Sequence, residues 1–197
     1  MHRRARPLLT LALTGLLGTG LQAQSAQPVS LQGSGLFVVV LGEVFAGLQN
    51  GIGAEAQVRY TPSALSIGAG FQYTTHDVEN RTEDVQLYGG FIEPRYRIHA
   101  GSNEVAPYVS GRFSLLKVGF SGGELSLSSS YIQINGGGGL LFRLGSRVNL
   151  DVGATYGYNR LGSGTLTDEV TGAMLPIGSS SGSNLVLRSG LVVGLGR

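Results

Sequence analysis

His76 is followed by Asp77, and Ser126, Ser128, Ser129 and Ser130 lie further along the chain. A His-Asp pair with an accessible serine is the material of nucleophilic catalysis, in which the imidazole takes the hydroxyl proton and the carboxylate orients the ring. His76, Asp77, Glu79, Glu83 and Asp84 also form an acidic stretch whose oxygens suit a hard divalent cation. Their spacing matches no calcium loop, and a solvated loop is the simpler account. Gly51-x-Gly53-x-x-Ala56 has the spacing of a dinucleotide-binding glycine motif. That motif needs a helix to begin there, so that its N-terminus meets the pyrophosphate. Period-two alternation follows instead, and then Pro62. The glycine run 136–139 lacks the Lys-Ser/Thr pair of a phosphate loop and reads as close strand packing or room for neighbouring side chains. No catalytic residue, cofactor or metal site is assigned on these grounds. A larger set remains: Glu55, Arg59, Glu93, Arg95, Arg97, Arg112, Arg143, Asp151 and Arg188. Charges of both signs confined together make either an internal ion-pair network or a narrow ion path, and the arginine excess would give such a path a slight anion preference.

The elements that carry these charges alternate with period two, the mark of strands whose successive side chains point to opposite faces. Residues 51–74 are the clearest case. Ile52, Ala54, Ala56, Val58 and Tyr60 oppose Gly53, Glu55, Gln57 and Arg59; Thr61-Pro62-Ser63 breaks the pattern as a turn; Leu65, Ile67, Ala69, Phe71 and Tyr73 then resume it. A strand from Gly35 precedes this hairpin, with alternation too poor to assign its faces. Further strands are expected near 85–98, 105–118, 132–143, 148–159 and 185–195. Val85 and Leu87 fall out of phase with Ile92, Pro94, Tyr96 and Ile98, which predicts a bulge near Gly89-Gly90. Connections are short around Pro62, Ser102 and Ser146, and long at 76–84, 119–130 and 160–182. Short turns on one side and long loops on the other, with an even strand number, are the rhythm of an outer-membrane barrel.

Composition agrees. Charged residues are 13% of the 197, against about 25% in ordinary soluble domains. The chain has no Cys, which excludes disulfides, thiolate metal sites and a lipid-modified cysteine. At the N-terminus, positive residues 2–6, an apolar run at 8–17 and Leu21-Gln22-Ala23 have the layout of a secretory signal peptide. The expected division is a signal peptide at 1–23, a flexible lead-in at 24–34 and a barrel at 35–197. Removing Arg3, Arg4 and Arg6 takes the basic count from 14 to 11 against 12 acidic residues, a net charge of −1. No basic footprint for nucleic acid then remains.

An amphipathic strand does not say which face meets water, since a soluble barrel also alternates. Two features favour lipid outside. The polar face is crowded with Gly and Ser and carries few charges, and the eight tyrosines fall near strand ends. Tyr60, Tyr96 and Tyr108 are expected at the periplasmic rim. Tyr73, Tyr88, Tyr131, Tyr156 and Tyr158 are expected toward the external rim, the two groups forming the aromatic girdles of a membrane barrel. The fold expected is all-β: an eight-stranded antiparallel up-and-down transmembrane β-barrel with the nine charges lining its lumen.

Over about residues 35–196 the chain resembles the small bacterial outer-membrane barrels of the OmpA/OmpX-like group. The likeness lies in strand pattern, loop alternation and stretches such as Glu93-Pro94-Arg95-Tyr96-Arg97 followed by Ala106-Pro107-Tyr108-Val109. It implies a Gram-negative outer membrane, contact with lipid and lipopolysaccharide, and insertion by the barrel-assembly machinery. It also implies anchoring, adhesion or small-solute passage as function. Such barrels end in an aromatic residue, whereas this chain ends Leu195-Gly196-Arg197. The function expected is structural or surface-binding through the external loops. A narrow pore for small solutes or ions is the first alternative. The second is a lipid A-modifying enzyme, as some small barrels are, with His76 at the external rim and His99 at a periplasmic turn.

Overall fold

The computed structural model describes residues 28–42, 47–78, 84–121, 125–168 and 174–196. The expected signal peptide, Glu79 and Glu83 lie outside the described residues. Eight strands close a barrel: β1 (Val29–Leu41), β2 (Leu48–Tyr60), β3 (Leu65–Val78), β4 (Asp84–Arg97), β5 (Val105–Ser121), β7 (Ser130–Arg143), β8 (Val148–Leu161) and β11 (Ser180–Leu195). Each pairs antiparallel with its neighbour in the wall, and β1 pairs with β11 to close the ring. Closure satisfies every strand edge, which a wall facing lipid requires.

The wall obeys the period-two rule. In β2, Glu55, Gln57 and Arg59 are buried inside, while Ile52, Val58 and Tyr60 are exposed outside. In β3, Gln72, Thr74 and His76 point in, and Leu65, Ile67, Phe71 and Tyr73 point out. The apolar outer face is the inverse of a soluble barrel and is the surface a bilayer would cover. Four residues join β2 to β3 and β7 to β8, and the long connections are those from β5 to β7 and from β8 to β11. The expected long loop at 76–84 is shorter than predicted, because β3 runs to Val78 and β4 starts at Asp84, which leaves five residues against seven between β4 and β5.

The structure corrects several expectations. The barrel begins at Val29, not Gly35: Ser30, Gln32 and Ser34 of the expected lead-in are buried on the inner face of β1. No bulge interrupts β4 near Gly89-Gly90, because its pairing with β3 keeps one register from Asp84 to Tyr96. Val85 and Leu87 share the inward parity of Glu93 and Arg95. The inner row changes from polar to apolar partway up the strand, which from sequence looks like a change of phase. The stretches 119–130 and 160–182 are not simple loops. β5 and β8 run into them, and β6 (Leu125–Ser128), β9 (Gly164–Asp168) and β10 (Met174–Ile177) form a separate three-stranded sheet in the order β10-β9-β6. That sheet ties the connection after β5 to the one after β8, at the end of the barrel opposite the turns at Pro62 and Ser146.

Candidate functional site

Glu93 sits at the middle of the inner row of β4, fully buried. Its Oε1 accepts from Arg59 Nη2 at 2.8 Å and Arg95 Nη2 at 2.9 Å. Its Oε2 accepts from Arg112 Nη2 at 2.5 Å and Arg188 Nη1 at 2.7 Å. Glu55 takes Arg112 Nη1 at 2.5 Å and Arg188 Nη1 at 3.4 Å. Asp151 takes Arg95 at 2.9 Å, the Gln32 amide at 2.7 Å and the Tyr108 hydroxyl at 2.6 Å. Four arginines thus face three carboxylates, leaving one net positive charge. Further contacts hold the guanidinium planes. Arg95 lies over the Tyr108 ring at 3.9 Å, and Arg112 over the Phe91 ring at 4.0 Å. Groups from β1, β2, β4, β5, β8 and β11 meet in this layer. Eight strands enclose a bore just wide enough for side chains to fill, and here charged ones fill it. An isolated ion in such a place costs several kcal/mol, by an order-of-magnitude estimate, so the pairing is what permits it.

Glycines make the layer fit. Gly139 on β7 stands opposite Tyr108 on one side and Gly153 of β8 on the other. A Cβ at Gly139 would strike the Tyr108 hydroxyl and the Val152 carbonyl, so the glycine run under the ring is room for an aromatic side chain.

Eight of the nine expected lumen charges are inside. Of these, Arg97 is at the mouth beside the Pro62 turn, donating Nη2 to the Ser63 carbonyl at 2.7 Å, apart from the Glu93 cluster. Arg143 is the exception. It ends β7, is exposed, and donates to the Gly145 carbonyl in the turn. It has inward parity but lies past the enclosed part of the bore. Two of the expected girdle tyrosines are not in the girdles. Tyr108 is 2% exposed and belongs to the ion cluster, and Tyr131 is buried among Leu87, Leu116 and Val118. Parity is the signal that finds both: Tyr108 is in phase with Ser110 and Arg112, and Tyr131 with Gln133 and Asn135. Tyr60, Tyr73, Tyr96, Tyr156 and Tyr158 are exposed on the outer face, and Tyr88 is half-buried on the same side.

His76 and Asp77 do not form a pair. Neighbours on a strand face opposite ways, so His76 is buried in the lumen while Asp77 is exposed outside. The His76 ring lies against Gly51, and its Nδ1 is 3.1 Å from the Gln49 carbonyl oxygen.

Above the ion cluster the lining changes. Leu36, Val38, Leu87, Leu116, Val118 and Val186 point inward, with Val85 and Tyr131, and surround a cavity of about 240 Å³. The cavity reaches Val40, Leu48 and Leu161 at the strand ends away from the Pro62 turn. These aliphatic residues come mainly from β1, β4, β5 and β11, while β3, β7 and β8 line the same cavity with uncharged polar side chains such as Thr74, His76, Asn135 and Asn159.

The fold is shared with solved structures. Neisserial surface protein A matches with a TM-score of 0.60 at 18% identity, covering 85% of this chain and 97% of that one. A major outer membrane protein from Thermus thermophilus matches at 0.54 and 16%, covering 85% and 98%. The outer membrane protein OprG from Pseudomonas aeruginosa matches at 0.53 and 12%, covering 88% and 98%. These neighbours are small bacterial outer-membrane β-barrel proteins, and the likeness is one of fold. No family model matches the chain, and no curated protein matches it by sequence.

Proposed function

We propose that this protein is a non-conducting outer-membrane β-barrel that anchors an external binding surface. The observation that carries the reading is the Glu93 cluster. A layer of paired side chains from six strands occupies the bore, which favours a scaffold over a pore. The binding surface is the external sheet β10-β9-β6 with the neighbouring loop ends, since loops on a rigid barrel are where recognition sits. Export by the signal peptide at 1–23 and insertion by the barrel-assembly machinery complete the reading, with lipid and lipopolysaccharide around the apolar outer face. The opposed facing of His76 and Asp77 speaks against the lipid A-modifying alternative.

Planar-bilayer recording tests the central point. The purified protein should give no discrete conductance steps, whereas Glu93→Ser combined with Arg112→Ser should introduce them by emptying the middle of the layer. Discrete openings from the unaltered protein would favour the pore reading instead.

A further inference from the structure

The external cavity has polar groups with nothing to bond. His76 is 1% exposed, and its Nδ1 faces a carbonyl oxygen, which can only accept. Nδ1 therefore carries the proton, and in the neutral ring Nε2 is an acceptor. That Nε2 is buried and without a partner among the described residues. Asn135 donates its amide to Asn184 Oδ1 at 3.0 Å and Thr155 Oγ1 at 3.4 Å, which leaves its own Oδ1 unpartnered. Asn159 Oδ1 is likewise unpartnered. All three residues line the same cavity. These three unpartnered atoms are acceptors, one part of the wall is aliphatic, and the one full charge, Arg112, is already taken by Glu55 and Glu93.

We propose that this cavity binds a small neutral molecule with an apolar body and one hydroxyl, an aliphatic alcohol or alkylphenol, entering from the external side. The hydroxyl donates to His76 Nε2 or to one of the two asparagine oxygens, and the body lies against Leu36, Val38, Leu87, Leu116 and Val118. Size permits it: an apolar cavity of about 150 Å³ already takes benzene. A carboxylate of the same length is disfavoured, because its charge would be buried with no unpaired cation to meet it. Saturated hydrocarbon leaves the acceptors unmet.

The test uses the full barrel in lipid nanodiscs, labelled at Leu and Val methyls and at histidine nitrogen, titrated with octanol, octanoate and octane. Octanol should shift the methyl signals of Val38, Leu87 and Val118 saturably while those of lipid-facing Val58, Leu65 and Leu187 stay in place. The His76 Nε2 resonance should move as it accepts a hydrogen bond. Octanoate and octane should bind about tenfold more weakly or worse, the worth of one hydrogen bond. His76→Leu should weaken octanol by a similar factor, and Val118→Phe should abolish binding by filling the space. Equal, unsaturable shifts of lumenal and lipid-facing methyls would mean partition into the bilayer and would overturn the proposal. So would an unmoved Nε2 at saturation, or octanoate binding as tightly as octanol. If His76→Leu does not fold, the Nε2 signal of the unaltered protein and the Val118→Phe variant decide the matter.

Discussion

The lower and upper halves of the bore are built on one wall with one alternation, and they differ in every other respect. Below, carboxylates and guanidiniums meet at 2.5–2.9 Å in close packing. Above, aliphatic side chains of β1, β4, β5 and β11 and uncharged polar ones of β3, β7 and β8 surround a cavity. Two strands show the switch. The inner row of β1 reads Ser30, Gln32, Ser34 and then Leu36, Val38. That of β4 reads Arg97, Arg95, Glu93 and then Phe91, Leu87. Directional, charge-assisted bonds draw groups from distant strands to one point. Short aliphatic chains on a ring of fixed circumference have no such reach and leave the centre empty. Barrel geometry therefore sets the width of the bore, while the chemistry of the inner row decides whether that width becomes a plug or a pocket.

Four substitutions probe that contrast, in falling order of effect. Glu93→Ala strips a shared partner from four buried arginines and should cost about 3–5 kcal/mol. The urea midpoint of the heat-modifiable gel band measures it, and a change under ~1 kcal/mol would show that the plug does not hold the lower half together. Tyr108→Phe removes the hydrogen bonds to Asp151 at 2.6 Å and from Arg188 at 3.0 Å and should cost about 1.5–3 kcal/mol in the same titration. Gly139→Val pushes a side chain into the Tyr108 hydroxyl and neighbouring backbone, an overpacking cost of about 1–3 kcal/mol. Val118→Phe adds comparable bulk in the upper half, where space is free, and should stay within about 1 kcal/mol of the unaltered protein. Should Val118→Phe prove as costly as Gly139→Val, the two halves would be equally packed and the contrast would not hold.

Much of this is legible in the residues. Wherever the inner row is polar and the outer row apolar, alternation assigns both faces, so Glu55, Arg59, Glu93, Arg95, Arg112, Asp151 and Arg188 can be placed in the lumen from sequence. The signal vanishes where both rows are apolar. Leu36-Phe37-Val38-Val39-Val40 has lipid on one side and the cavity on the other, and period-two contrast cannot register a strand greasy on both faces. The same blindness makes Val85 and Leu87 look like a slipped phase. Nearness to a strand end misplaces Tyr108 and Tyr131; parity is the better guide, since a girdle residue must also face outward. The external sheet is illegible for another reason. Strands of four or five residues, paired across loops far apart in the chain, carry too little pattern to stand out from loop.

Seven of the eight barrel pairings join strands that follow one another along the wall; the eighth brings Val29 against Leu195, from the two ends of the barrel sequence. That seam bears the largest loop-closure entropy and should form last. Arg188, on β11, reaches Glu93 on β4 and Glu55 on β2 only when the seam is shut. A two-residue slip of β11 preserves its inward and outward faces, so hydrophobic pattern alone would not reject it. It would carry Arg188 away from both carboxylates. The ion cluster therefore ties the register of the seam to contacts across the lumen, so that closure in the wrong register would leave Arg188 without its carboxylates.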